Sequence, residues 1–452
     1  MDDFAFLSVT KAASLLAARR ISSVEYTRAL LDRIDNVGHR LAAFISLDSD
    51  AALAAARCVD DQRAAGHVLP ALAGIPYAVK DLIDVAGQRT TAQSAASTRL
   101  PVRDAAVIRR LREAKAILLG KLTLEEWGIG SPLDPLPWPP ARNPWSLDRT
   151  PGGSSSGAGV AVSSGLVPLA LGTDTAGSVR NPAALCGIVG LKPTRGLVSR
   201  AGVVALSRTL DHVGLMARSA QDCRLLLDAL TGEHSRAGDL PRCKQPLAGL
   251  RFCLPDVSRN EELCSAETRH ALDSACGVFE RLGASTVTVG TPDFQACYRA
   301  LVVVLQAEAF RAHRFRLAAS PGAFGSRTHS NLMAGAAISA AQYATARLAC
   351  SAFAVELATT FASCDILVLP PVNGPAVLLD DELALKRAGQ GVLRAPFNAS
   401  GNPALSLCAG MTASGLPLAM QLVGRPGSDT LLLEVAIAFQ RVTGWHELHP
   451  AL

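Results

Sequence analysis

The feature that most constrains this chain is the alternation of short apolar runs with helical patterning along its length. Gly74-Ile75-Pro76-Tyr77-Ala78-Val79-Lys80 reads as a short buried strand, and the runs at 116–119, 167–171, 187–191, 366–369, 404–407 and 418–423 have the same texture. Helix signals lie between and beyond them. Ser22-Ser23-Val24-Glu25 has capping-box spacing ahead of an apolar face made by Val24, Ala29, Leu30, Leu31 and Ile34. The segment 51–65 is alanine-rich, and 107–114 and 429–441 are helical in pattern. Strands alternating with helices predict an α/β layered fold. With no internal repeat and no low-complexity linker, the 452 residues read as one large domain, 1–452. Its parts are an N-terminal helical part (1–70), a core (71–222), a variable helical region (235–365) and a C-terminal part of the core (366–452). The Pro-rich stretch 132–145 is expected to be an ordered loop.

Composition removes several classes of function. A net charge of +5 is small for this length, and the basic residues are scattered, so no nucleic-acid partner is expected. Apolar runs are broken well before the length a membrane span needs, and Met1-Asp2-Asp3-Phe4 lacks the charged-then-apolar pattern of a leader. The 11 cysteines form no C-x-x-C pair and have no histidine at zinc spacing. Cys186, Cys253, Cys350 and Cys408 all sit in apolar surroundings. Reduced buried thiols in a cytoplasmic protein, with no metal and no cofactor, are the expectation.

Two small-residue loops flank one helix-plus-strand unit: Pro151-Gly152-Gly153-Ser154-Ser155-Ser156-Gly157-Ala158-Gly159 and Gly172-Thr173-Asp174-Thr175-Ala176-Gly177-Ser178. Loops at strand ends of α/β scaffolds are where such folds bind ligands. In the second loop, successive backbone N–H groups can point inward and hold an oxyanion, while Ser178 attacks the same carbonyl. A tight turn with a hydroxyl cap explains the same residues. A serine nucleophile needs a base, and none of the 9 histidines lies in a catalytic-looking motif. His212, His446 and His449 read as structural. Only 7 lysines occur among 44 basic residues, and Lys80 ends an apolar strand. Burial disfavours the ammonium, and a neutral amine can act as a base. A strand-end lysine reaching for solvent is the alternative. Asp81 alternates to the other face of the strand.

Two short motifs are set aside. Gly153-Ser154-Ser155-Ser156-Gly157 fits the nucleophile elbow G-x-S-x-G, but no strand precedes it. Ser8-Val9-Thr10-Lys11 fits S-x-x-K without companion motifs.

These residues resemble the amidase signature family. The resemblance runs from Pro151-Gly152-Gly153-Ser154-Ser155 through Gly172-Thr173-Asp174-Thr175-Ala176-Gly177-Ser178-Val179-Arg180 to Gly187-Ile188-Val189-Gly190-Leu191-Lys192-Pro193-Thr194, with Gly74-Ile75-Pro76 and Val79-Lys80-Asp81 upstream. Phe397-Asn398, Gly401-Asn402-Pro403-Ala404-Leu405-Ser406 and Gly415-Leu416-Pro417 lie downstream. It implies one compact α/β domain with a large mixed sheet between helices, and a Ser–cis-Ser–Lys triad. Lys80 would be the base, Ser154 the relay held after a cis peptide bond, and Ser178 the acyl-forming nucleophile. The N–H groups of Thr175, Ala176 and Gly177 would form the oxyanion hole. Ser156-Gly157, where Gly-Gly is common, and Ala176, where Gly is common, are similar to the allophanate hydrolase branch. That branch usually carries an extra C-terminal domain, and this chain ends at Leu452.

The implied activity is hydrolysis of the C–N bond of a small carboxamide by a monomer or homo-oligomer. The alternatives are the catalytic component of a tRNA-dependent amidotransferase, or a non-catalytic amidase-like scaffold. The intact Lys80, Ser154 and Ser178 argue against the scaffold. The amidotransferase component resembled here places a carboxylate-gripping arginine late in the helix before the run at 366–369. Cys350 occupies that position, with Arg347 one turn earlier. Leu133, Leu136 and Trp138 in the loop 132–140 are expected to line an apolar entrance suited to an uncharged acyl group.

Overall fold

A computed structural model of the chain describes residues 4–97, 99–232 and 245–452. Met1, Asp2 and Asp3, and the beginning of the region 235–365, lie outside the described residues. Among those described, one sheet contains β1 (Phe44–Leu47), β2 (Pro76–Lys80), β3 (Ile117–Leu122), β4 (Leu169–Asp174), β5 (Val189–Lys192), β6 (His212–Ala217), β7 (Arg251–Cys253), β8 (Ser285–Thr286), β9 (Ile366–Leu369), β10 (Ala404–Met411) and β11 (Pro417–Val423). Their spatial order is β1-β3-β2-β4-β6-β5-β10-β11-β9-β7-β8. The sheet is mixed: β2 runs parallel to both β3 and β4, while β4–β6, β5–β6, β5–β10 and β10–β11 are antiparallel.

Helices cover the sheet, so every residue of β2, β4, β6 and β11 is buried. That is why these strands read as continuous apolar runs rather than as alternating ones. One apolar cluster joins the N-terminal helices, the sheet and the helix Asp429–Thr443. A second gathers Phe294, Phe353, Phe361 and Phe397. Phe294 meets Phe353 and Phe397 edge-on at 5.5 and 5.9 Å between ring centroids.

The expected capping box exists: Ser22 and Glu25 cap the helix Ser23–Leu41 reciprocally. Ser8 caps the helix Val9–Ala17 by accepting from the Lys11 N–H, which accounts for the S-x-x-K spacing. Two strands are longer than their apolar runs. The run at 167–171 continues to Asp174 because β6 pairs with it as far as His212, and the run at 116–119 continues to Leu122. The region 235–365, expected to be helical, also contributes β7 and β8. Both are too short to show a period, and β7 is held by its distant partner β9. Among the described residues no helix is long and apolar enough to cross a membrane.

Candidate active site

Lys80 closes β2 and Asp174 closes β4, so two adjacent parallel strands deliver both side chains to one edge of the sheet. Carboxyl ends of strands are where open α/β sheets form binding crevices. Lys80 is fully buried. Its Nζ lies 2.8 Å from Ser154 Oγ, 2.9 Å from Thr173 Oγ1 and 3.2 Å from Ser155 Oγ. Burial pulls this amine down to about 7, against the opposing charges of Glu125, Asp174 and Asp211. Asp81 does turn to the other face, where it pairs with the equally buried Lys121 at 2.5 Å.

The Gly153–Ser154 peptide is cis. No strand precedes this loop; it leads instead into the buried helix Ser156–Ser163. Ser155 is buried behind Ser154, with its Oγ directed at Lys80 and at the Thr173 carbonyl, 3.2 Å away. The Ser155 N–H donates to the Ser178 carbonyl at 3.1 Å, tying the two serine loops together.

Ser178 is half-buried between fully enclosed neighbours. Asp174 shapes its loop by accepting from the Gly177 N–H at 2.9 Å and the Val179 N–H at 3.1 Å. Arg180 closes on the same carboxylate at 2.9 and 3.1 Å. Asn398 donates to its Oδ1 at 2.8 Å and to its backbone carbonyl at 2.9 Å. Burial alone would raise the Asp174 carboxyl, but Arg180 and Asn398 hold it well below the usual carboxylate range. Arg180 also donates to Gln421 Oε1 at 2.7 Å, so β11 supports the loop from below.

Gly177 has φ +109°, a conformation that side chains resist, and a Cβ there would strike the Arg394 side chain. Gly177 was expected as an oxyanion donor, but it gives its N–H to Asp174. Among the described residues the N–H groups of Thr175, Ala176 and Ser178 have no acceptor. Thr175 Oγ1 donates to Asp211 at 2.7 Å, fixing the other side of the loop.

Two cavities border this arrangement. One of about 400 Å³ touches Thr173, Thr175 and Asp211. The other, of about 630 Å³, reaches Gly152, Gly153, Asn181 and Glu125. Of the loop 132–140, Pro132 and Leu133 line the larger cavity, whereas Leu136 and Trp138 are not part of it. Asp134 pins the loop by accepting from the Thr328 N–H at 3.4 Å and pairing with Arg327 at 3.6 Å. The wall is therefore mixed rather than apolar, with Arg327, Glu382 and Lys386 on it.

Thr173 and Glu125 were not distinguished by the sequence, and Ser155 stood out in it only as the serine of the nucleophile elbow, which no strand precedes. Asp174, Arg180 and Asn398 stand inside the motif stretches, and charged residues flanking a loop of small ones were the available signal. His212 is buried, with Nδ1 2.7 Å from the Leu210 carbonyl, and burial keeps it neutral. His449 stacks on Phe6 at 4.0 Å. Among the described residues no three His, Cys, Asp or Glu side chains group as metal ligands.

Comparison with known proteins places these residues in context. Residues 25–433 match the Amidase family. The chain is 35% identical to the A component of the glutamyl-tRNA(Gln) amidotransferase of Moorella thermoacetica, over 99% of each chain. It is 37% identical to the corresponding protein of Chloroflexus aurantiacus, over the whole of both. Among solved structures it resembles the peptide amidase of Stenotrophomonas maltophilia, with a TM-score of 0.84 and 30% identity over 98% of each chain.

Proposed function

The chain belongs to the amidase family and is an enzyme that hydrolyses amide C–N bonds; from that premise we propose that it is a serine amidase acting on a small carboxamide through an acyl-enzyme on Ser178. The observation that carries this reading is the buried Lys80 amine, set among the hydroxyls of Ser154, Ser155 and Thr173, the last of which lines a cavity. Neutral Lys80 takes the Ser154 proton while Ser154 takes the proton of Ser178, which attacks the carbonyl. N–H groups of the loop at Thr175, Ala176 and Ser178 receive the oxyanion. The tetrahedral intermediate then collapses: its C–N bond breaks and the relayed proton passes to the leaving amine. Water enters by the reverse path and releases the acid. The buried state of nine described cysteines supports a reducing, cytoplasmic setting.

A second reading is the glutamine-hydrolysing component of an amidotransferase, which works with partner proteins. The curated relatives support it more directly than they support the first. The site geometry supports the first. Cys350, at the position expected for a carboxylate grip, is buried in an apolar cluster with Leu301, Val304 and Ala395. Arg347 is taken up by the Tyr343 hydroxyl at 3.2 Å and by Glu308 at 3.9 Å.

The deciding experiment gives the isolated chain simple carboxamides, glutamine and asparagine, with fluorophosphonate labelling in parallel. We expect turnover of simple amides and a label on Ser178, both lost in Ser178→Ala. A label on Ser155 would overturn the assignment of the nucleophile. Activity that appears only with partner proteins and charged tRNA would establish the second reading.

A further inference from the structure

Glu125 stands apart in the larger cavity. The segment holding it turns inward just after β3, and its N–H donates to the Ser154 carbonyl at 3.1 Å. Its carboxylate lies against the Gly153 α-carbon so closely that a methyl group on Gly153 would collide with it. Glu125 is therefore one residue removed from the proposed relay and faces the cavity. The other charged groups of that wall are engaged or peripheral. Arg327 pairs with Glu382 at 2.8 Å and with Asp134 at 3.6 Å, and Lys386 is exposed at the rim.

No hydrogen bond to the Glu125 carboxylate is found among the described residues. The two cations that act on it are Lys80 and Arg394, and neither donates a hydrogen bond to it; the buried Arg394 Nε–H, beside Gly177, has no acceptor among the described residues. Lys80 addresses the three hydroxyls described above. Arg394 donates to the carbonyls of Pro371 and Gly389 at 2.9 and 3.0 Å. A partly buried carboxylate without donors is unfavourable, and burial pushes this one up to about 7. A ligand that brought N–H donors and a positive charge would relieve both deficits.

We propose that Glu125 is a specificity-determining residue whose carboxylate receives an ammonium group carried by the substrate. This rests on the amide-hydrolase reading above. In a primary carboxamide the leaving group is ammonia, so only the acyl part can carry the cation. The substrate class is then an aminoacyl carboxamide, with its ammonium in the larger cavity and its amide at Ser178.

The test compares 4-aminobutanamide with pentanamide, which differ by an ammonium in place of a methyl group. kcat/KM is measured on the alkaline plateau of the enzyme, below the pKa of the amine. A charged hydrogen bond in a partly buried site predicts a preference of about tenfold or more for the amino compound. Glu125→Gln should bring the ratio close to one, and Glu125→Asp should retain part of it. Equal or better turnover of pentanamide by the wild type would overturn the proposal. So would an equal fall for both substrates in Glu125→Gln, which would make Glu125 a group acting only through Lys80. If neither compound is hydrolysed while Ser178 still takes a fluorophosphonate label, the ammonium assignment fails alone. If the label is lost as well, the acyl-enzyme reading fails.

Discussion

Replacing Lys80 with methionine should remove activity and stabilise the fold near neutral pH. The folded chain holds the amine down to about 7 from 10.5 because it is fully buried. A tenfold change in proton affinity is worth about 1.4 kcal/mol, so keeping Lys80 in the fold costs on the order of 5 kcal/mol at pH 7. Between pH 7 and pH 10.5 the unfolded chain binds the proton that the folded chain lacks, so this cost shrinks as pH rises. Methionine abolishes it but takes this partner from the buried hydroxyls of Ser154 and Thr173, at about 1 kcal/mol each, while Ser155 keeps the Thr173 carbonyl. The balance favours Lys80→Met by about 3 kcal/mol at pH 7 and reverses toward pH 10. Titrating groups that do not feel Lys80 cancel in the difference; Glu125, on which Lys80 acts, is taken out of it by making both proteins in a Glu125→Gln background. Urea denaturation of the two proteins across this pH range, with amide hydrolysis alongside, tests the argument. A stability difference that does not change with pH, or a variant weaker at pH 7 than at pH 10 relative to wild type, refutes it.

Ser154→Ala should slow acylation by at least two orders of magnitude, because an unaided serine is a poor nucleophile. Its thermal midpoint should stay within a few degrees of wild type, which pre-steady-state kinetics and a melt would check together. Asp174→Asn should destabilise the protein by about 3–5 kcal/mol, since it leaves the buried Arg180 without its carboxylate. Denaturation midpoints of Asp174→Asn beside Ser178→Ala would show whether the loss is specific to this ion pair.

The elements and the principal candidates were legible in the sequence because their signals are local. A strand buried on both faces must be apolar throughout, so β2, β9 and β11 announced themselves. The capping box at Ser22 and the glycine that Ser178 needs before it are equally short-range facts. Lys80 was visible because a lysine at the end of such a strand is unusual. What the sequence could not decide is which groups meet across long separations. Thr173 is 93 residues from Lys80, Asn398 is 224 from Asp174, and Gln421 is 241 from Arg180, yet each pair shares a hydrogen bond. The assignment of Gly177 as an oxyanion donor was likewise undecidable, because its N–H direction depends on where the Asp174 carboxylate sits. The mixed lining of the larger cavity follows from Asp134 anchoring its loop to Arg327, a contact between segments 193 residues apart. Local chemistry thus selected the strands and the reactive residues. The sheet order, which sets β2 beside β4 and brings β11 beneath the loop, decided their company, because burial and hydrogen bonding act on neighbours in space.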